Sequence, residues 1–228
     1  MTMSETLRPL PCPYWWESAG PPTCPAPSQL PKTIDLAVIG AGLTGLSAAR
    51  VAAQAGRSVL VFDARAPGEG AASRYGGMIG GGHRLSIAQM HAQFGEKTGT
   101  ELLFEAHCAS RAHALQVMQD EAIDCDYAET GRFRGLWRTD EYDNAARGLD
   151  QLKKLIPLDA YMVPKTDQQA EAGTNLYAGG TVYPCHGGLN PAKWVKGLLS
   201  AADRAGAGVK GNTPVMGMES HGARHKVS

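Results

Sequence analysis

Gly40, Gly42 and Gly45 stand in the G-x-G-x-x-G spacing, and the chemistry that this spacing serves is dinucleotide binding. The first glycine permits a tight turn, the second lets a pyrophosphate approach the backbone, and the third lets helix pack closely on strand. Asp63 follows roughly 20 residues later, where an acid is expected to hold a ribose hydroxyl pair. A second glycine-rich stretch, residues 66–82, contains Ser73, Arg74, Tyr75, Gly76 and Gly77. It suits a backbone running along an extended ligand, with Ser73 and Arg74 as polar contacts. The alternative is a surface loop without ligand. His83 and Arg84 come next and read as surface polar residues sooner than as substrate contacts. His91, His107 and His113 lack any paired spacing such as H-E-x-x-H, so no metal site is expected.

These residues need a βαβ unit to hold them. Residues 36–39 form an apolar run suited to a strand buried on both faces. The helix after the glycines offers unpaired N–H groups and a partial positive charge to a diphosphate. Leu46, Ala49, Val51 and Ala52 give that helix a small-residue face. Residues 58–62 make the second strand, ending at Asp63. A nicotinamide dehydrogenase unit would start a helix soon after this strand, so the second glycine stretch argues against that class.

Before this unit, residues 1–31 are dense in proline, which favours an extended arm. Tyr14-Trp15-Trp16 interrupts the arm and is expected to dock on the body or on a neighbouring subunit. After it, residues 86–121 read as two helices divided by Gly95 and Gly99. Residues 123–127 and 131–137 read as two short strands, with Asp124 and Asp126 on a solvated face. Residues 140–155 and 165–172 read as helices, and 177–183 as a strand bent at Gly179-Gly180. Asn190 and Pro191 are the N-cap and first residue expected of a helix ending at Gly206. Residues 209–218 should return to the sheet. Residues 216–228 read as the opening strand of a hairpin, with a turn near His221-Gly222 and its partner beyond the chain, a sign of incompleteness; the alternative is a polar tail.

The 228 residues balance 22 basic against 22 acidic side chains, which leaves no electrostatic footprint for nucleic acid. No apolar run approaches the ~18 residues of a membrane span, and no secretory signal pattern opens the chain. The five cysteines are scattered without C-x-x-C, which argues against zinc or a disulfide framework and fits a cytoplasmic protein.

Residues 38–47, Ser73-Arg74-Tyr75-Gly76-Gly77, Ile123-Asp124-Cys125-Asp126 with Thr130-Gly131, and residues 190–198 together resemble one family. It is the flavin-dependent amine and amino-acid oxidases, which include D-amino acid oxidase, glycine oxidase and sarcosine oxidase, and within it the gamma-glutamylputrescine oxidoreductase branch. The resemblance implies FAD, with Gly40, Ala41, Gly42, Leu43, Thr44 and Gly45 under its diphosphate and Asp63 and Ala64 at its ribose. Ser73, Arg74, Tyr75, Gly76 and Gly77 would lie against the pyrophosphate or flavin, and Val215 would hold the adenine through its backbone. The family usually has Glu at position 63 and Asn at position 75. The implied reaction is dehydrogenation of a C–N bond in a small amine or amino acid, with hydride passing to flavin N5. The imine then hydrolyses and oxygen reoxidises the flavin. Such chemistry requires no Ser/His/Asp or Cys/His constellation, and none is assigned.

The expected fold is α/β: an FAD-binding Rossmann-like βαβ domain interleaved with part of an α+β substrate domain. Residues 32–85 and 190–228 would form the first, 86–189 the second, and 1–31 the arm. The resemblance covers about the first half of such an enzyme. A sheet lacking an inner strand exposes apolar edges, so self-association or a missing C-terminal half is expected. Weak FAD binding by this chain alone is expected too. The alternative is a non-catalytic remnant that binds only a nucleotide or a partner chain.

Overall fold

A computed structural model describes residues 12–23 and 30–228. The chain runs through α1 (Trp16–Ala19), β1 (Leu36–Ile39), α2 (Leu43–Gln54), β2 (Val59–Phe62) and β3 (Met78–Ile79). Helices α3 (Ile87–Phe94), α4 (Glu96–Phe104) and α5 (Ser110–Asp120) follow. Next come β4 (Arg132–Leu136), α6 (Thr139–Leu155), β5 (Tyr161–Pro164), α7 (Gln168–Ala172), β6 (Gly179–Tyr183) and β7 (Gly187–Gly188). The chain closes with α8 (Pro191–Arg204), β8 (Gly208–Lys210), β9 (Met218–His221) and β10 (Arg224–Val227). No described helix is long and apolar enough to cross a membrane.

Two compact units emerge. The first gathers the described residues up to Gly77 with Glu121–Asp126 and Asn190–Ser228, and the second holds Met78–Asp120 and Tyr127–Leu189. The division thus falls at Gly77, where the sequence suggested residue 85, and residues 121–126 join the first unit.

The first unit is built on a parallel sheet of order β1-β2-β8. β2 is central, and all four of its residues are buried, as a strand covered on both faces requires. β1 is the edge, with Leu36 37% and Ile39 61% exposed. On the helical side, α2 buries Leu46 and Ala49 completely, and α8 buries Trp194, Val195, Leu198, Ala201 and Ala202. α8 starts as its first residues dictate. The Asn190 side chain accepts from the N–H groups of Ala192 and Lys193, and Pro191 occupies the first helical position.

Glu121 ties the helices of this unit together. Its carboxylate lies 2.8 Å from Arg50 Nη1 and 2.9 Å from Arg204 Nη2, with the Arg50 and Glu121 side chains only 9% and 12% exposed. The Arg50 hydrogen bond, then that of Arg204, holds the carboxyl below the usual glutamate range against the opposing effect of burial. An unfolded chain binds this proton more readily. The stabilisation is therefore present above the ordinary value of 4.5 and is lost as pH falls through the lower folded value. Glu121→Gln is expected to flatten the acid limb of the stability–pH curve and to cost about 1–2 kcal/mol at neutral pH. Urea titrations at several pH values check this; an unchanged acid limb would exclude the ion pair as its source.

In the second unit, β6 lies between β4 and β5 in an antiparallel sheet. Met90, Leu103, Leu149, Leu152, Ile156, Leu158 and Ala160 form its buried cluster. α3 is opened by a capping box in which Ser86 and Gln89 satisfy each other's backbone N–H groups. Only Gly95, at φ +80°, breaks the helical run; Gly99 stays inside α4, close against Met90 and His91. A π-helical segment, Glu105–Ala109, joins α4 to α5, which no periodicity announced.

Other expectations also need correction. Residues 123–127 form no strand. Asp126 takes φ +55°, which halts an extended path, and its carboxylate pairs with Lys193 Nζ at 2.6 Å instead of facing solvent alone. The strand expected over 177–183 starts only at Gly179. β9 does find a partner within the chain: β10 pairs with it antiparallel, Arg224 opposite His221. Of the proline-rich arm, residues 1–11 and 24–29 lie outside the described residues, and 16–19 form one turn of helix where no proline interrupts.

Candidate cofactor site

Two glycines of the fingerprint have a structural reason to be glycine, Gly40 and Gly45, while Gly42 lies where a side chain would fit. Gly40 leaves β1 at φ +101°, a left-handed conformation that side chains resist, and its N–H extends the ladder by donating to Phe62 O at 2.7 Å. Gly42 is the N-cap of α2, in extended conformation and without a side-chain capping bond. A Cβ added there would meet nothing within 4 Å, so the space before the helix N-terminus is open. At Gly45 a Cβ would lie 2.0 Å from Gly40 O and 3.2 Å from Val38 Cγ1, so helix and strand meet there without room for a methyl group.

Asp63 follows β2 beside this turn. Its Oδ2 accepts from Ala41 N–H at 2.8 Å and its Oδ1 from Arg65 N–H at 2.9 Å. The carboxylate therefore braces the glycine turn, and each oxygen keeps acceptor capacity for a further hydroxyl. Ala64 is exposed next to it, and Ala41 is fully buried under the turn. Leu43, Thr44 and Gly45 form the first turn of α2.

The second glycine stretch leaves β2 through a short 3₁₀ turn, Ala71–Ser73, and Ser73 is fully buried. Arg74 Nε donates to Glu69 O at 2.7 Å, while its guanidinium stands 4.8 Å over the Trp16 ring. No carboxylate pairs with Arg74 among the described residues. Tyr75 is half-buried, and burial, then the neighbouring Cys125, pushes its hydroxyl pKa up to about 12, so the phenol stays neutral. Gly76 faces open space, and Gly77 takes φ +76°. Val215 lies in an irregular stretch after β8. That stretch is tied to the end of β2, since Thr213 N–H donates to Asp63 O at 2.8 Å and Asn212 N–H to Arg65 O at 3.0 Å.

The residues expected from sequence to bind the cofactor thus all fall in the first unit, and His83, Arg84, His91, His107 and His113 in the second. Two side chains the motifs did not point to also matter in the first unit. Trp15 and Trp16 dock on Tyr75 and Ser73, and the only sequence signal was an aromatic cluster in a proline-rich arm. In the second unit the unflagged residue is His186, which is buried, stacks on Tyr183 at 4.7 Å and accepts the Gly81 N–H on Nε2 at 3.1 Å. Burial, then Arg132, Arg111 and His107, keeps it below the ordinary histidine range and hence neutral.

The arrangement fits FAD on three observations: an uncapped helix N-terminus with open space before it, an acid just past the end of the next strand, and an arginine with no carboxylate partner among the described residues. Sequence and structure comparisons bear on the cofactor. The chain is 29% identical over 215 residues to the probable oxidoreductase OrdL of Rhizobium meliloti, covering 92% of this chain and 49% of that protein. It is 35% identical over 104 residues to the gamma-glutamylputrescine oxidoreductase of Escherichia coli, 44% of this chain and 24% of that one. Glycine oxidase from Geobacillus kaustophilus shares the fold with a TM-score of 0.67 at 21% identity, over 85% of this chain and 50% of that one. L-amino acid deaminase from Proteus vulgaris gives 0.68 at 18% identity, over 86% of this chain and 49% of that one. The chain therefore spans at most about half the length of these relatives. The model of the FAD dependent oxidoreductase (DAO) family matches residues 35–228, and the chain belongs to that family.

Proposed function

We propose that the first unit binds FAD and that the protein serves oxidation of the C–N bond of a small amine or amino acid. The observation that carries this reading is the glycine turn. Gly42 opens space before an uncapped helix, while Asp63 stands just past the end of the adjoining strand. In this reading the N–H groups of Leu43 and Thr44 face the diphosphate, Asp63 accepts from the ribose, and the Arg74 guanidinium offsets phosphate charge. Gly76 and Gly77 let the backbone approach the ligand, and the backbone of Val215 receives the adenine. FAD, when bound, supplies the hydride acceptor. Glycine oxidase, L-amino acid deaminase and gamma-glutamylputrescine oxidoreductase among the relatives support the substrate class, with a gamma-glutamyl polyamine as the finer candidate. The scattered cysteines, without C-x-x-C, support the cytoplasm as the compartment.

A second reading is favoured by the open edge of β1, where Leu36 and Ile39 are exposed. In it the chain holds FAD weakly and turns over no amine until a further strand or a second copy covers that edge. Anaerobic titration with gamma-glutamylputrescine and with glycine separates the two readings. Bleaching of the bound flavin's visible absorption supports the oxidase. Flavin that binds and never bleaches supports the second reading, and absence of FAD binding up to about 1 mM contradicts both.

A further inference from the structure

We propose that Trp15 and Trp16 are positioning residues for the Ser73-Arg74-Tyr75 turn, and that the N-terminal arm sets FAD affinity from outside the glycine fingerprint. This inference rests on the FAD reading above. Three successive residues of the turn each receive one contact from the tryptophan pair. The Trp16 indole N–H donates to Ser73 Oγ at 3.1 Å. The Trp16 ring carries the Arg74 guanidinium 4.8 Å from its centre. The Trp15 indole N–H donates to Tyr75 O at 2.7 Å.

The turn also packs against α8, with Ser73 fully buried, but it makes few hydrogen bonds of its own. Within itself it makes only a long bond from Ser73 N–H to Gly70 O at 3.4 Å and one from Arg74 N–H to Ala71 O at 3.1 Å, with Arg74 Nε reaching back to Glu69 O. The arm, by contrast, is anchored elsewhere. Asn190 Nδ2 donates to Ser18 Oγ at 2.9 Å, and Lys196 Nζ donates to Gly20 O at 3.0 Å and to Ala19 O. Asn190 is the N-cap of α8, and Lys196 stands in its second turn. The arm is therefore a strap: fixed to α8 at one end and gripping the turn with two indoles at the other.

Its chemical effect falls on Arg74. An arginine over an aromatic face keeps its full charge, and stacking with one backbone bond restricts its rotamers. Held in this way, the guanidinium meets a diphosphate with less side-chain entropy left to lose. A freely rotating Arg74 would carry the same charge and bind more weakly.

The test compares wild type with Trp15→Phe, Trp16→Phe, the double variant and Ser73→Ala. Phe keeps an aromatic face and removes the indole N–H. Backbone hydrogen exchange is followed in apo protein, and FAD affinity and the visible circular dichroism of bound flavin are measured by titration to about 1 mM. In the double variant, exchange of residues 71–77 is expected to rise about tenfold or more, with β2 and α8 unchanged. FAD affinity should fall about fivefold with an altered flavin dichroism and an unchanged melting temperature. Ser73→Ala should reproduce the Trp16→Phe share of both effects. Unchanged exchange over 71–77 overturns the bracing role, and raised exchange with wild-type FAD affinity and dichroism overturns its link to the cofactor. Wild type that fails to bind FAD at all overturns the cofactor reading, which the exchange experiment does not depend on.

Discussion

Gly45→Ala is expected to destabilise the protein by about 3 kcal/mol, a loss set by backbone and not by any ligand. The added methyl group would sit 2.0 Å from Gly40 O and 3.2 Å from the carbonyl carbon behind it. Neither atom belongs to a flexible side chain. Gly40 O cannot withdraw without distorting a residue already at φ +101° whose N–H is bonded to Phe62 O. The alternative is that α2 moves off β1 and gives up the burial of Leu46 and Ala49, both fully inaccessible. The melting temperature should therefore fall by roughly 6–12 °C for a chain of this size, with or without FAD. A Gly45→Ala protein that melts within about 1 °C of wild type would mean that α2 does not approach β1 as described.

Gly42→Ala should do the opposite. Its Cβ has room, and its backbone is extended with negative φ, so the folded chain can accept a side chain there. Alanine is a poorer N-cap than glycine, which limits the expected cost to about 1 kcal/mol or less. The methyl group nevertheless projects into the space that the proposed diphosphate needs. One substitution thus separates fold from function, while its neighbour three residues on does not.

Much of this was legible in the sequence because it depends on local chemistry. The spacing of Gly40, Gly42 and Gly45 assigns three different backbone roles, and the structure gives a measurable cause for two of them, the φ of Gly40 and the close packing at Gly45. Asn190 and Pro191 announced the start of α8 through capping alone. What stayed hidden depends on distant partners. The alternating acids of residues 123–127 imitate a strand, but Asp126 answers to Lys193 and Cys125 O to the N–H of Asn190. Docking of the tryptophans on the body is legible from the aromatic cluster, but no local pattern encodes the turn they grip, some sixty residues away. The pairing of β9 with β10 is hidden for another reason: Arg224–Val227 is short and polar, with three of its four residues exposed, so it carries no apolar alternation.

The edge position of β1 bears on how any ligand experiment reads. Parallel sheets are normally covered on both faces and flanked on both sides of their central strands, and here Ile39 at the strand end is 61% exposed, next to the glycine turn. Affinities measured on this chain are therefore expected to be low in absolute terms, and the informative quantity is the ratio between variants.

The most direct test is an FAD titration of wild type and Gly42→Ala under identical conditions, with the melting temperature of each apo protein measured alongside. The account predicts apo melting temperatures within about 4 °C of each other and an FAD affinity at least tenfold lower in Gly42→Ala. Equal FAD affinity in the two proteins, or no FAD binding by wild type, would contradict the assignment of Gly40, Gly42 and Gly45 as a cofactor cradle.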